Sequence, residues 1–270
     1  MIPIGFIGTG NMGEAIISGI IKAGLFPAES IVIFDISEQR TKKITSNLGV
    51  KVASSASNLA DQAETIILAV KPNMIAAVVT EIKDNVNGKL IISIAAGITT
   101  ETILNILGKD ARVIRVMPNT PALVLEGASA LARSAACTDA EFKTAQALFS
   151  SVGQTIDISE NLMDAVTALS GSGPAFCFIF MEALADGGVK AGLPRDLALK
   201  LAATTMKGAA QMVLEMNQHP GQLKDMVTSP SGTTIEGVSV LETKGMRSSV
   251  IEAVYAAYQR SIELGKSSDK

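Results

Sequence analysis

Three glycines near the start of the chain have the spacing that brings a backbone close to a diphosphate. Gly8, Gly10 and Gly13 form the pattern G-x-G-x-x-G between the apolar run 2–7 and an amphipathic run. In this setting the first glycine permits a tight turn, the second lets a pyrophosphate approach, and the third lets helix and strand pack closely. The helix that follows points unpaired N–H groups at the phosphate. The pattern predicts a dinucleotide site, and glycines that only turn the chain are the weaker alternative.

An acidic residue follows at the distance typical of a ribose contact. Asp35 ends the second apolar run, about 20 residues after Gly13. A carboxylate there accepts hydrogen bonds from the ribose hydroxyls and repels a 2′-phosphate, which favours NAD over NADP. Arg40 can offset that repulsion, and Asp35 can instead cap a turn or a helix. Both NAD and NADP therefore stay open as the cofactor.

Three further segments end predicted strands at the sheet edge where α/β proteins bind ligands. Residues 69–72 read Ala-Val-Lys-Pro, and the small residues 95–97 suit a backbone that approaches a ribose or nicotinamide. For Lys71 the alternatives are a contact with phosphate and the cap of a surface turn. Asn119 stands between two prolines, and it lies either near the nicotinamide or in a connector that only the prolines stiffen. The predicted cofactor-binding residues are Ile7, Gly8, Gly10, Asn11, Met12, Gly13, Asp35, Val70, Lys71, Pro72, Ala95, Ala96, Gly97 and Asn119.

Two loops of small hydroxylated residues and glycines interrupt the second half of the chain. Residues 170–174 precede one apolar helical pattern, and residues 227–234 precede another that begins near Ile235. The backbone N–H groups of such loops can form a nest for a carboxylate. A helix cap supplied by Thr233 or Thr234 is the alternative.

The first half of the chain alternates short apolar runs with amphipathic ones. The strand candidates are residues 2–7, 31–34, 65–70, 90–94, 113–117, 129–132 and 153–158. The helix candidates among them are residues 12–23, 37–47, 73–82, 100–107 and 139–151. Strands separated by helices indicate right-handed crossovers and a mainly parallel sheet covered on both faces.

From Glu160 onward the apolar residues recur at helical spacing. We therefore predict an α/β chain with an N-terminal Rossmann-type dinucleotide-binding domain, residues 1–158, and an all-helical C-terminal domain, residues 159–270. Runs 196–216 and 250–264 are rich in small apolar residues. Such helices can pack closely against one another, either across a dimer interface or within a monomeric bundle. The apolar composition of the chain favours the dimer.

Composition excludes several classes of protein. A net charge of −3 provides no field that attracts phosphate backbones, so we expect no nucleic-acid partner. The longest uninterrupted apolar stretch, residues 175–181, is far shorter than the roughly 20 residues of a membrane span. Cys137 and Cys177 are isolated, which indicates neither a disulfide framework nor a metal site. The chain also starts without a signal-peptide pattern, so we expect a soluble cytoplasmic protein.

Motifs from both halves occur together in a recognisable order. The segments are GFIGTGNMGEAI, AVKP, SIAAG, MPNTP, LSGSGPAF, GLPR, HPGQLKDMV, SPSGTTIEGV and Met246-Arg247-Ser248. This order resembles the pyrroline-5-carboxylate reductase family over nearly the whole chain. Ser231 departs from the family pattern, which has two adjacent glycines in that loop. Serine tolerates fewer backbone conformations than glycine, which puts the loop geometry in question but not the family.

The resemblance implies an oxidoreductase that reduces 1-pyrroline-5-carboxylate to L-proline with NADPH or NADH, the last step of proline biosynthesis. It implies a homodimer or a ring of dimers, with interlocked helical domains and the active site at the dimer interface. It also implies that Thr234 is the catalytic residue, bonded to the ring nitrogen. Backbone N–H groups around Ser229, Gly232 and Thr233 would bind the substrate carboxylate. Glu160 resembles a family residue near this pocket, or is a first-turn helix carboxylate.

The available side chains favour imine reduction over alcohol oxidation. Alcohol dehydrogenases need a base, whereas a protonated imine carbon is already electrophilic. The single histidine, His219, lies in a turn with proline and glycine, and we predict no metal in the reaction. A β-hydroxyacid dehydrogenase would carry a lysine after its glycine-rich loop, but none occurs before Lys190. The other alternative, a dinucleotide sensor without turnover, has no need of a carboxylate nest.

Overall fold

A computed structural model describes residues 2–268 and forms one sheet of eight strands from them. The strands are β1 (Ile2–Ile7), β2 (Ile31–Phe34), β3 (Lys51–Val52), β4 (Ala63–Leu68), β5 (Leu90–Ser93), β6 (Arg112–Met117), β7 (Gly127–Arg133) and β8 (Gly153–Asp157). Their order across the sheet is β3-β2-β1-β4-β5-β6-β7-β8. All of these pairings are parallel except β6 with β7. The predicted doubly wound α/β fold is confirmed.

Helices connect these strands and cover both faces of the sheet. They are α1 (Asn11–Lys22), α2 (Glu38–Leu48), α3 (Ala56–Gln62), α4 (Ile75–Ile82), α5 (Thr100–Leu107) and α6 (Asp139–Ser150). Side-chain caps fix several helix starts: the Thr99 hydroxyl accepts from the Thr102 N–H at 3.1 Å, and Thr138 forms a capping box with Glu141. The α2 helix ends at Gly49, whose φ of 73° suits glycine.

Neighbouring residues of each central strand enter opposite apolar cores. Phe6 belongs to one core, whereas Ile7 belongs to the other. The same alternation separates Ile67 from Ile66 on β4. Because successive strand side chains point to opposite faces, continuous Ile-rich runs bury both sides of the sheet.

Two elements between β2 and β4 escaped the sequence prediction. The β3 strand has only two residues, and α3 lies in a polar stretch that buries Leu59 but few other large side chains. A cap starts α3, since the Ser55 hydroxyl accepts from the Asn58 N–H at 3.0 Å. The β4 strand also spans Ala63–Leu68, not the predicted 65–70. Prediction from apolar periodicity and run length therefore fails where an element is short or half polar.

The described chain divides into two units. Residues 2–172 and 257–268 form the first unit, and Gly173–Ala256 form the second. The first unit therefore includes α7 (Met163–Val166) and the π-helix Thr167–Gly171 in addition to the sheet. The predicted domain boundary after residue 158 stays a prediction, and residues 1, 269 and 270 lie outside the described residues.

The second unit is helical, as predicted, and most of its apolar side chains are exposed. Its helices are α8 (Gly173–Lys190), α9 (Arg195–Met216), α10 (Pro220–Met226), α11 (Thr233–Thr243) and the start of α12 (Met246–Ser268). Its buried cluster consists of three alanines, Ala185, Ala198 and Ala202, with Val189 against them. Large exposed apolar residues include Phe178, Ile179, Leu214, Val240 and Ile251. An apolar surface of this extent is typical of an interface.

One helical stretch, Glu160–Lys190, is long and apolar enough to cross a membrane by length and composition alone. Its longest uninterrupted apolar run, residues 175–181, is much shorter than a membrane span, and for that reason the sequence did not predict this stretch. A single helix of this kind is a weak indication of a membrane span, because helices that pack against other helices have the same composition.

Candidate functional site

The glycine-rich turn between β1 and α1 has the geometry that its spacing predicts. Gly8 has a φ of +97°, and a Cβ there would lie 2.6 Å from the Ala69 carbonyl oxygen. A Cβ at Gly13 would lie 2.9 Å from the Gly8 carbonyl oxygen, so this glycine permits the close helix–strand approach. A Cβ at Gly10 would meet none of the described atoms within 4 Å. The space over Gly10 fits a pyrophosphate at the start of α1.

The Asp35 carboxylate at the end of β2 faces the glycine-rich turn. Its Oδ2 accepts from the Thr9 N–H at 2.7 Å and from the Thr9 hydroxyl at 2.8 Å. Its Oδ1 accepts from the Ser37 N–H at 2.9 Å. Only 6% of the side chain is exposed. These bonds support the structural alternative for Asp35, a ribose contact stays a prediction, and no sequence pattern indicated the bonds with Thr9.

The charge of Asp35 is stabilised within the protein. Burial alone would raise the pKa of this carboxyl group, but hydrogen bonds from Ser37 and Thr9, with the positive charge of Arg40, hold the pKa below its usual value. Arg40 lies 3.9 Å from Asp35 Oδ2, and 59% of its own side chain is exposed. Ile36, the next residue after Asp35, is an apolar side chain that is 77% exposed.

A cavity of about 630 Å³ in the first unit contains three of the predicted cofactor residues, Pro72, Ala96 and Gly97. Its other lining residues are Asn73, Ile75, Ala76, Ile98, Thr102, Thr167, Ser172, Ala257, Arg260, Ser261 and Leu264. The wall from α12 was missed because its helical periodicity carries no mark of a binding role. Here Ser261 is buried, and its hydroxyl donates to Asp164 Oδ1 at 2.7 Å. The cavity lies where β4 and β5 end, which fits a dinucleotide site.

The other cofactor candidates at these strand ends differ in exposure. Ala95 is buried, Val70 is half-buried and Lys71 is exposed. The Lys71 carbonyl accepts from the Met74 N–H at 2.9 Å, so its backbone begins a short helical turn. A phosphate contact of the Lys71 side chain stays a prediction.

Asn119 connects two parts of the first unit. Its Nδ2 donates to the Ser170 carbonyl at 3.1 Å, and its Oδ1 accepts from the Ala128 N–H at 2.8 Å. These bonds attach the loop after β6 to β7 and to the π-helix. They support the structural alternative for Asn119, and a contact with nicotinamide stays a prediction.

Glu160 also has partners within the first unit. Its Oε1 accepts from the Thr100 N–H at 2.7 Å and lies 3.3 Å from Nη1 of Arg115, while its Oε2 accepts from the Thr100 hydroxyl. Arg115 is buried. Glu160 therefore neutralises a buried guanidinium and caps the start of α5. A substrate contact of Glu160 stays a prediction.

The hydroxyl-rich loop of the second unit precedes α11 in a strained conformation. Ser231 has a φ of 54°, in the left-handed region that favours glycine. Gly232 is the N-cap residue, and a Cβ there would lie 2.2 Å from Ser229 Oγ. No described side chain caps this helix, which differs from the alternative of a cap by Thr233 or Thr234. Ligand contacts of the first N–H groups of α11 and of the Thr234 hydroxyl stay predictions.

The single histidine is part of a helix cap. His219 is the N-cap residue of α10, and its Nδ1 accepts from the Gly221 N–H at 3.1 Å. Gln222 completes a capping box with the His219 backbone. Among residues 2–268 no group of three or more His, Cys, Asp or Glu is placed to hold a metal ion.

Two families of known sequences match the chain. Residues 160–264 match the family described as pyrroline-5-carboxylate reductase dimerisation. Residues 3–97 match the family described as NADP oxidoreductase, coenzyme F420-dependent.

Individual proteins match over nearly the full length. The chain is 47% identical to the pyrroline-5-carboxylate reductase of Methanosarcina acetivorans over 97% of this chain and 98% of the relative. A Coxiella burnetii pyrroline-5-carboxylate reductase structure is 38% identical, with a TM-score of 0.91 over 97% of each chain. The Plasmodium falciparum pyrroline carboxylate reductase structure, which has NADP bound, is 36% identical, with a TM-score of 0.89 over 98% of each chain.

Proposed function

The chain belongs to the pyrroline-5-carboxylate reductase family, and on that premise we propose how its residues serve the reaction. The protein is an oxidoreductase that reduces 1-pyrroline-5-carboxylate to L-proline, the last step of proline biosynthesis, with a nicotinamide dinucleotide as the hydride donor. The imine carbon accepts the hydride, and the protonated ring nitrogen becomes a secondary amine. The protein therefore has to bind the imine and the dinucleotide, orient them and exclude water from them. It does not have to remove a proton from carbon or oxygen.

The dinucleotide-binding residues are those of the glycine-rich turn and the adjoining strand ends. The open space over Gly10 admits the pyrophosphate, which the N–H groups at the start of α1 bind. Pro72, Ala96 and Gly97 line the cavity that would take the nicotinamide end. Bound dihydronicotinamide supplies the hydride. Measurement of kcat/KM with NADH and with NADPH determines the preferred donor, since the Asp35 side chain is 6% exposed and the Arg40 side chain is 59% exposed.

The substrate-binding residues are those of the loop before α11. The single observation that carries this proposal is that α11 begins at Thr233 after an N-cap glycine, Gly232, which provides no side-chain cap. Its N–H groups and positive dipole end suit the substrate carboxylate. Thr234, in the first turn, supplies a hydroxyl for the ring nitrogen. Ser229 and Thr233 contribute their backbone N–H groups to the same carboxylate.

We further propose that the second unit forms a homodimer through its exposed apolar helices. The match of residues 160–264 to a dimerisation family supports homo-oligomerisation. Phe178, Ile179 and Leu214 are each more than half exposed, whereas the unit's own core contains three alanines. A ring of dimers, with an active site shared between subunits, is the arrangement that the family resemblance implies.

A cytoplasmic location is also part of the proposal. The protein's two cysteines, Cys137 and Cys177, are both free, which is typical of proteins in reducing compartments. Cell fractionation with an antibody to the native protein tests this location.

A direct assay tests the proposed reaction. The purified protein should oxidise NADH or NADPH when 1-pyrroline-5-carboxylate is supplied and form L-proline in equal amount. A 3-hydroxy acid with the oxidised dinucleotide is the control substrate, and we expect no turnover with it. Activity on the hydroxy acid together with inactivity on the imine would refute the proposal.

A further inference from the structure

We propose that Asp35 is a positioning residue, which holds the glycine-rich turn in its binding shape through Thr9 and makes no contact with the ribose. The inference rests on the proposed dinucleotide site. An acidic residue at the end of the second strand usually hydrogen-bonds the ribose hydroxyls, and the proposed role of Asp35 is different.

The contacts of Asp35 connect two segments that are far apart in the chain. The Thr9 hydroxyl and N–H both donate to Oδ2, at 2.8 and 2.7 Å, and the Ser37 N–H donates to Oδ1 at 2.9 Å. Thr9 is itself only 2% exposed. Hydrogen bonds to a carboxylate are stronger than neutral ones, so the Thr9–Asp35 pair is a firm attachment.

Little of the carboxylate is left for a ligand. A carboxylate offers about four lone-pair sites, and three of them are already used by the protein. Nη1 of Arg40 lies 3.9 Å from Oδ2, and only 6% of the Asp35 side chain is open to solvent. A pair of ribose hydroxyls would have to displace the bonds that Thr9 and Ser37 make.

The turn needs such an attachment because its own residues do not fix its shape. Thr9 stands between Gly8 and Gly10, and glycine is the residue with the greatest backbone freedom. The Gly8 N–H also donates to the Phe34 carbonyl at 2.8 Å. Gly8 and Thr9 therefore both attach the turn to the end of β2. A loop that is ordered before binding loses less entropy when the dinucleotide binds.

Calorimetry on single and double variants tests the inference. Thr9→Val removes one of the two bonds from residue 9 without altering charge, and Asp35→Ser removes the acceptor. We expect Thr9→Val to weaken NADH and NADPH by the same factor, about tenfold, the scale of one hydrogen bond to a charged group. Asp35→Ser should weaken NADH at least as much. The double variant should bind NADH no worse than Asp35→Ser alone, because both changes break one attachment.

Two controls separate positioning from general stability. Thr9→Ser keeps the hydroxyl and should retain the parent affinity. Thr138→Val removes a cap hydroxyl from α6, so it should lower the melting temperature and leave both dissociation constants unchanged. Should Thr9→Val fail to fold, Thr9→Ala takes its place in the comparison.

A direct ribose contact makes the opposite prediction. In that case Thr9→Val binds NADH as the parent does, while Asp35→Ser alone loses affinity, and either that pattern or additive losses in the double variant would overturn the inference. These measurements contain no imine. Failure of the proposed reaction would appear as normal dinucleotide affinity without proline formation, which is a separate result.

Discussion

Thr234 has a hydroxyl in the first turn of α11 that its helix does not use as a cap. If it bonds the ring nitrogen, the contact contributes about 1–3 kcal/mol in a desolvated pocket, or roughly tenfold to a hundredfold in rate. Thr234→Ala should lower kcat/KM for the imine by that factor and leave dinucleotide affinity unchanged. Thr234→Ser keeps the hydroxyl and should retain most activity. An Ala variant that is fully active but less stable would contradict the contact with the ring nitrogen and show that Thr234 has only a structural role.

Gly10 allows a second test at single-residue scale, because the space beside it is open. Its φ of −66° is available to any residue, and an added Cβ meets none of the described atoms within 4 Å. Gly10→Val should therefore fold normally while its side chain occupies the pyrophosphate space. We expect calorimetry to show a loss of dinucleotide affinity of at least about a hundredfold, equal to some 2.7 kcal/mol. Unchanged affinity in a variant with the parent's melting temperature would contradict the placement of the cofactor.

Among secondary-structure elements, the loop before α11 carries strain that a substitution can remove. Ser231 has a φ of 54°, which costs an L-residue about 1–2 kcal/mol relative to glycine. The greater freedom of glycine in the unfolded chain offsets part of that gain. Ser231→Gly should raise the free energy of unfolding by up to about 1 kcal/mol, which denaturant titration measures. Ser231→Ala keeps the strain and serves as the matched control, so equal gains in both variants would contradict this account.

The elements whose bounds the sequence predicted well are those with a clear apolar pattern or a clear cap. The β1 and β2 strands and α5 have the predicted bounds, because their apolar periods are uninterrupted and Thr99 caps α5. Two-residue β3 and half-polar α3 carried too few apolar residues to stand out. Tertiary packing, not local preference, fixes such short elements.

The sequence did not predict the partners of three candidate site residues. The side chains of Asp35, Asn119 and Glu160 all bond to other parts of the first unit, and their contacts with a ligand stay predictions. A motif specifies the type of residue at a strand end and leaves its rotamer and partners open. The glycines behaved as expected because their role is steric and depends on the backbone alone.

For the whole molecule, the exposed helices of the second unit provide the test of assembly. Phe178 on α8 is 61% exposed, and burying it against a second subunit would stabilise the dimer by about 1.5–3 kcal/mol. Phe178→Asp places a charge there instead and should shift the protein toward monomer in light scattering after gel filtration. Val52→Asp on the edge strand β3, 51% exposed in the first unit, is the matched control and should leave the mass unchanged. A dimer of normal stability in the Phe178 variant would place the interface elsewhere.

The first unit is discontinuous in the chain, since residues 257–268 return to it after the whole second unit. On a ribosome these residues emerge after the sheet and after the second unit, so a nascent chain has all eight strands long before it has the α12 wall of the cavity. Chains that stop early, by premature termination or by proteolysis within the second unit, lack Arg260, Ser261 and Leu264 from that wall. The cavity wall therefore closes only after the second unit has been synthesised, so a late segment of the chain completes a surface that the early strands began.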